Sequence, residues 1–141
     1  MSASHATAAL VPATISNALV PLVGRVFLSA IFLLSGIGKL TTPEVTTGYI
    51  ASAGLPFPWV GLAIAVVIEI GGSIALILGY QTRIAAVILA VFTLATAFAF
   101  HNQFADQNQF IHFLKNVAIA GGLLQVATFG AGRHSLDARL G

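Results

Sequence analysis

The sequence predicts an all-α membrane protein: a four-transmembrane-helix antiparallel bundle with both termini cytoplasmic. Three observations carry that prediction. First, only 7% of the 141 residues are charged and 57% are hydrophobic, whereas an ordinary soluble domain carries about 25% charged residues. A small chain has much surface for its volume, and six Lys/Arg with four Asp/Glu cannot cover it. Second, the apolar residues fall into four blocks, each approaching the roughly 20 residues that cross hydrocarbon as a helix. None alternates with period two, and a backbone crossing lipid must be helical or part of a closed barrel. Third, the connections between blocks are short, which favours antiparallel neighbours.

Residues 1–18 read as a flexible polar segment of small residues without a basic stretch, unlike a secretory signal. The first span covers about 19–40, with Pro21 tolerated in a first turn and Arg25 and Lys39 near its two ends. A loop rich in turn residues, from Thr41 to Pro58, leads to the second span at 59–79, which only Glu69 interrupts. Tyr80 to Arg83 form a tight connection to the third span, 84–100. The polar run from His101 to Gln109 precedes the fourth, 110–129, with Lys115 inside its first turns. One transmembrane domain, 19–132, therefore ends in a short cytoplasmic tail, 133–141. Sidedness follows from Lys and Arg, which accumulate on the cytoplasmic side: Arg25, Arg83, Arg133 and Arg139 lie at the terminal end, Lys39 and Lys115 at the other. Arg25 and Arg83 are read as anchors at that surface, although Arg25 is deep enough to pair inside. The pairs Gly71-Gly72 and Gly121-Gly122 are small faces that let helices pack closely.

Several function classes are excluded. The chain has no cysteine, hence no disulfide, redox pair or thiolate metal site. Lys and Arg form no cluster, so nucleic acid has no electrostatic footprint to bind. No phosphate-binding glycine loop or nucleophile elbow is present, and no covalently bound cofactor is expected.

Glu69 is the most informative residue. It sits near the bilayer midplane, where a carboxylate costs several kcal/mol unless protonated, paired or wetted, so it marks a candidate site. The competing reading is an ion pair or protonated carboxyl that only fixes helix register. Lys115, the deeper of the two lysines, is the expected partner. Lys39 lies nearer the surface, on a Gly36-Ile37-Gly38 segment that permits close approach; either lysine alternatively snorkels to the interface. His101 and Asn102 close the third span on the same side, where Asn116 follows Lys115. Lys39, Glu69, His101, Asn102, Lys115 and Asn116 are thus expected to converge on one polar pocket. Such a pocket, walled by Phe and Leu, suits a ring with carbonyl oxygens, of which a quinone is the obvious membrane example. Haem held by His101 and His112 is a weaker reading because two histidines flanking a polar loop are more often interfacial, and a metal at His101, Asp106 and His112 is weaker still because no tight ligand spacing exists.

These pieces resemble the DoxX family of small four-helix bacterial membrane proteins. The resemblance rests on Gly24-Arg25 and Ser35 through Leu40, on Gly48 through Pro56, and on Glu69-Ile70-Gly71-Gly72 with Gly79 and Arg83. It continues through His101-Asn102, Phe113 through Asn116 with Gly121-Gly122, and Gly130 through Asp137. One departure is Gln103-Phe104, where members often place an aromatic pair after His-Asn. The resemblance implies a multi-pass protein of the bacterial cytoplasmic (inner) membrane. The family takes its name from a subunit associated with quinone-linked oxidation of sulfur compounds, and a mycobacterial relative is linked to a membrane oxidoreductase complex.

The function expected from residues and resemblance together is an integral membrane subunit of a quinone-linked oxidoreductase system. Its polar intramembrane pocket would take a quinone-like or small hydrophobic ligand, and the redox centre would sit on a partner subunit. The alternative is a non-enzymatic scaffold or assembly factor for a partner protein, since distant relatives look like assembly chaperones. A small carrier would need a homo-oligomer to make room.

Overall fold

A computed structural model describes the backbone of residues 13–141 and the side chains from Ala18 onward. The described residues form helices and turns, with no strand among them, in the order α1 (Ala13–Thr41), α2 (Pro43–Ser52), α3 (Pro58–Val66), a π-helical turn (Val67–Gly71), α4 (Gly72–Leu78), α5 (Thr82–Phe100), α6 (Gln107–Phe129) and α7 (Leu136–Leu140). Four stretches are long and apolar enough to cross a membrane: Ala18–Thr41, Pro58–Leu78 (α3, the π turn and α4 in one continuous span), Thr82–Phe100 and Gln107–Phe129. They coincide with the four expected blocks. The polar leading segment expected over 1–18 lies, through residue 12, outside the described residues; from Ala13 the backbone is helical.

The bundle has a terminal end, where α4 turns into α5 and the chain after α6 folds back, and a distal end, where α1 meets α2 and α5 meets α6. Its terminal half is tightly packed. Phe32, Leu76, Ala86, Leu89, Ala90, Ala120 and Leu123 form a continuous buried core there, most of them on α4, α5 and α6. Within each glycine pair only the second residue is needed for contact. A methyl on Gly72 would lie 2.8 Å from Leu89 Cγ and one on Gly122 3.3 Å from Leu28 Cδ2, whereas Gly71 and Gly121 face open space.

The terminal end is closed by side chains far apart in sequence. At Gly79, with φ +68°, α4 ends in a Schellman turn: Tyr80 N donates to Ala75 O at 2.9 Å and Gly79 N to Leu76 O at 3.2 Å. Arg25, 1% exposed, adds its own donors to the same helix end, to Leu76 O at 2.6 Å and Ile77 O at 3.2 Å. Its second nitrogen donates to His134 O at 2.5 Å. Arg25 therefore pairs inside the bundle instead of anchoring its surface. A cation at a helix C-terminus opposes the negative end of the macrodipole. The converse arrangement starts α5, where the Asp137 carboxylate accepts from Gln81 N at 2.8 Å and Thr82 N at 2.9 Å. Arg83 completes the set by donating to the last carbonyls of α6, at Ala127 and Thr128.

Partial burial pushes the Asp137 carboxyl upward. Its hydrogen bonds from Thr82 and Gln81 and the nearby Arg25 charge outweigh that effect and hold it below the ordinary value of 3.8. A carboxylate lowered in the folded state contributes stability above its unfolded pKa, and that stability is lost as pH falls through the folded value. Asp137→Asn should therefore cost about 1 kcal/mol at neutral pH through the weakened cap. The melting temperature of the wild type should fall more steeply than that of the variant below about pH 4. Thermal melts of both proteins in detergent across that range provide the measurement.

Candidate functional site

The first span stops short of the second at the distal end. A methyl on Gly36 would touch Ile70 Cγ1 at 2.6 Å and Glu69 Cβ at 3.3 Å, so Gly36 is level with the π turn. From that level α1 continues five residues to Thr41, about 7 Å of rise, while the second span continues eleven residues to Pro58, about 16 Å. Helix α2 fills the difference. It starts at Pro43, a residue suited to a helix's first turn. Its buried Ile50 packs on Gly61 of α3. Tyr49, Phe57 and Trp59, all mostly exposed, surround this end as an interfacial aromatic belt.

Level with that offset lies an ion pair. Glu69 occupies the middle of the π turn, a local insertion in the helical ladder that recurs at functional sites, and is 5% exposed. Lys39 Nζ stands 2.9 Å from Glu69 Oε2. It also donates to Glu69 Oε1 at 3.1 Å and to Ser35 Oγ at 2.7 Å. Ser35 Oγ in turn donates to Glu69 Oε1 at 3.1 Å. The ammonium thus donates two hydrogen bonds and stands in charge contact with Oε2, and the triangle is electrically neutral. Side chains on a helix lean toward its N-terminus, which carries the Lys39 stem back along α1 toward Ser35 and the level of Glu69.

The partner of Glu69 is thus Lys39, not Lys115. Lys115 is exposed and lies about 100° round α6 from Asn116, off the polar site. The expectation failed because it measured depth from the helix ends, and α1 ends well inside the level reached by its neighbour.

Around the ion pair lies a half-open cavity of about 770 Å³. α1 contributes Ile31, Phe32, Ser35 and Lys39, and the second span Gly61, Ile64, Ala65 and Glu69. α2 and the loop after it cover the distal side with Thr46, Tyr49, Ile50, Leu55 and Pro56. α5 supplies Phe92, Thr93, Thr96, Phe100 and the following His101; α6 supplies Gln109, His112, Asn116 and Ile119. Four of the six expected residues, Lys39, Glu69, His101 and Asn116, therefore line one cavity. Asn102 is exposed and, with Lys115, lies outside it.

His101 forms a second polar corner. Its Nδ1 lies 3.0 Å from Gln109 Oε1, and its ring stacks on His112 with centroids 5.2 Å apart and planes 26° from parallel. Stacked rings present faces to one another, whereas axial haem ligation needs a nitrogen from each ring aimed at the iron from opposite sides. Among the described residues no three His, Asp or Glu side chains gather as a metal site would require.

Three contributors have no counterpart in the sequence reading. Ser35 is one helical turn before Lys39, an i,i+4 spacing that would have revealed it. Gln109 holds His101 across the α5–α6 connection. Thr93 is 3% exposed on the cavity wall, and its hydroxyl has no partner among the described residues.

A bundle of four apolar helices, each long enough to cross a bilayer, defines an integral membrane protein, here with a buried glutamate paired to a half-buried lysine. The chain belongs to the DoxX family, whose family model matches residues 20–102, from the start of the first span to Asn102. Two Escherichia coli (strain K12) proteins are similar over most of their length. Inner membrane protein YqjF is 38% identical over 116 residues, covering 82% of this chain and 88% of its own. Inner membrane protein YphA is 38% identical over 123 residues, covering 84% and 88%. No solved structure matches the fold.

Two outcomes are expected. Removing Lys39 strands the buried Glu69 carboxylate, so Lys39→Met should destabilise the protein by up to roughly 3–5 kcal/mol, and Lys39→Met with Glu69→Gln should recover most of that loss. A double-mutant cycle of denaturant midpoints in detergent measures it. Gly36→Ala should cost about 1–3 kcal/mol by overpacking against Ile70. Gly38→Ala, which meets nothing within 4 Å, should be neutral or stabilising by up to about 1 kcal/mol.

Proposed function

We propose that this protein is an inner-membrane subunit of a quinone-linked oxidoreductase system, and that its distal cavity seats a quinone-type ring. The inner-membrane location draws on the names of the two E. coli relatives. The excess of arginine at the terminal end supports a cytoplasmic location for that end, and with it a cavity in the outer half of the bilayer.

The observation that carries the reading is the cavity itself. Its volume, about 770 Å³, falls in the range of roughly 300–1,000 Å³ typical of small-molecule sites. Phe32, Phe92, Phe100 and Ile119 offer flat and branched apolar walls, while a few polar groups converge from different helices. Lys39 and the unpartnered Thr93 hydroxyl are donors for ring carbonyls, and Glu69 is an acceptor for the hydroxyls of the reduced ring. Because the lysine and glutamate neutralise one another, an uncharged ligand can sit against them without stranding a buried charge. The chain supplies the seat and the partner subunit the redox centre, consistent with a sequence that has no cysteine.

The test is equilibrium binding of a decyl-tailed benzoquinone to purified wild-type protein and Glu69→Gln in nanodiscs. Saturable binding to the wild type, weakened about tenfold (~1.4 kcal/mol) in the variant, is the expected result. No saturable binding to either protein overturns the reading. If Glu69→Gln instead abolishes recovery of a co-purifying protein, the scaffold role replaces it.

A further inference from the structure

Two helices of the cavity wall change character at the same depth. On α6 one stripe at heptad spacing runs Gln109, His112, Asn116, Ile119 and Leu123. Its first three members are polar and line the cavity, whereas Leu123 is fully buried in the terminal core. On α5 the corresponding stripe passes from Thr96 and Thr93, again on the cavity wall, to Leu89 and Ala86, both fully buried. The two stripes are in register. Phe98 packs edge-on against Phe113 and His101 stacks on His112, which sets Thr96 level with Asn116 and Leu89 level with Leu123. Gly72 meets Leu89, so Glu69, one turn nearer the distal end, is close to the level of Thr93. Polar side chains therefore continue turn by turn from the ion pair to the distal end, where His112 is exposed. On the terminal side of the pair the same positions hold Leu76, Leu89 and Leu123. The buried Ser29 and Ser73 there commit their hydroxyls to carbonyls of their own helices.

We propose that the distal half of the cavity is a hydrated half-channel. It gives water and protons of the distal compartment access to the Lys39–Glu69 pair, and the apolar core closes it toward the terminal end. Ionisable groups within spans line water-filled cavities and proton routes. Here a carboxylate lies at the bottom of such a route and two imidazoles at its mouth. A cavity of this polarity holds water, which needs two to four polar partners at each position. Midway, the Thr93 hydroxyl, 3% exposed and without a partner among the described residues, and the Asn116 amide on the facing wall offer such partners. At the mouth Gln109 Oε1 accepts from the His101 ring. That bond puts the ring proton on Nδ1 and leaves Nε2 to take up another, the behaviour of a proton shuttle. The half-channel stands without any bound ring, but its use rests on the reading above. A hydroquinone that loses two electrons to the redox centre of the partner subunit breaks two O–H bonds, and both protons leave along this path to the distal side alone.

The chain has no cysteine, so single cysteines report water directly: a methanethiosulfonate reacts with the thiolate, which forms in water and not in hydrocarbon. A charged, membrane-impermeant reagent is added to vesicles on the face from which it modifies Asn102→Cys but not Arg139→Cys, which defines the distal face. Three cavity positions are each compared with an adjacent position that is exposed on the outside of the bundle. The pairs are Ser35→Cys with Leu34→Cys, Thr96→Cys with Ala95→Cys, and Asn116→Cys with Val117→Cys. Each cavity cysteine should react about tenfold or more faster than its neighbour, and Ala90→Cys in the core should resist the reagent from both faces. Cavity cysteines that react no faster than their neighbours, or equally fast from the terminal face, overturn the half-channel, as does an Ala90→Cys that reacts from the terminal face. A decyl-tailed benzoquinone should slow Thr96→Cys by filling the cavity. Fast labelling that the benzoquinone leaves unchanged overturns the ring and keeps the half-channel.

Discussion

A carboxylate in the middle of a membrane must be neutralised by something within reach, and that requirement organises the distal half of this protein. Glu69 meets it through the Lys39 ammonium and the Ser35 hydroxyl. For the ammonium to arrive, α1 must run close to the second span, and Gly36 removes the side chain that would hold them apart. For the carboxylate to face α1, the second span accommodates an extra residue in the π turn. For the lysine to remain at that depth, α1 must end early, and α2 takes over the remaining distance. Each local irregularity of the fold serves the same electrostatic constraint.

The two halves of the bundle divide labour by side-chain size. Alanines and single glycines let α4, α5 and α6 approach in the terminal half, where Leu76, Leu89 and Leu123 interlock. In lipid such packing, more than exclusion of water, drives helix association. Larger residues occupy the distal half, where Phe92, Phe100 and Tyr49 line the cavity.

The architecture was legible in the sequence because its cause is compositional. Four apolar runs in a chain with ten charged side chains leave few alternatives, and Glu69 stood out as the one carboxylate within a span. Lys39, His101 and Asn116 follow from being polar at a similar depth. What could not be read depends on relative height and on distant partners. Lys115 seemed the better counterion because it is further from its helix end, and only the register of Gly36 against Ile70 reverses that. The π turn leaves no period in a run of Val, Ile and Gly. The bonds from Arg25 to Leu76 and from Thr82 to Asp137 join residues more than fifty positions apart, which no local pattern encodes.

The closure of the terminal end has a bearing on how the protein is made. His134 and Asp137 come after all four spans in the chain, yet the former accepts a bond from Arg25 in the first span and the latter caps the start of the third. While the earlier spans are being threaded into lipid, the guanidinium and the start of α5 lack these partners and must rely on water or headgroups. Biogenesis is therefore finished from the rear: the segment following the fourth span acts as a keystone, and insertion of the helices precedes completion of the face on which they turn.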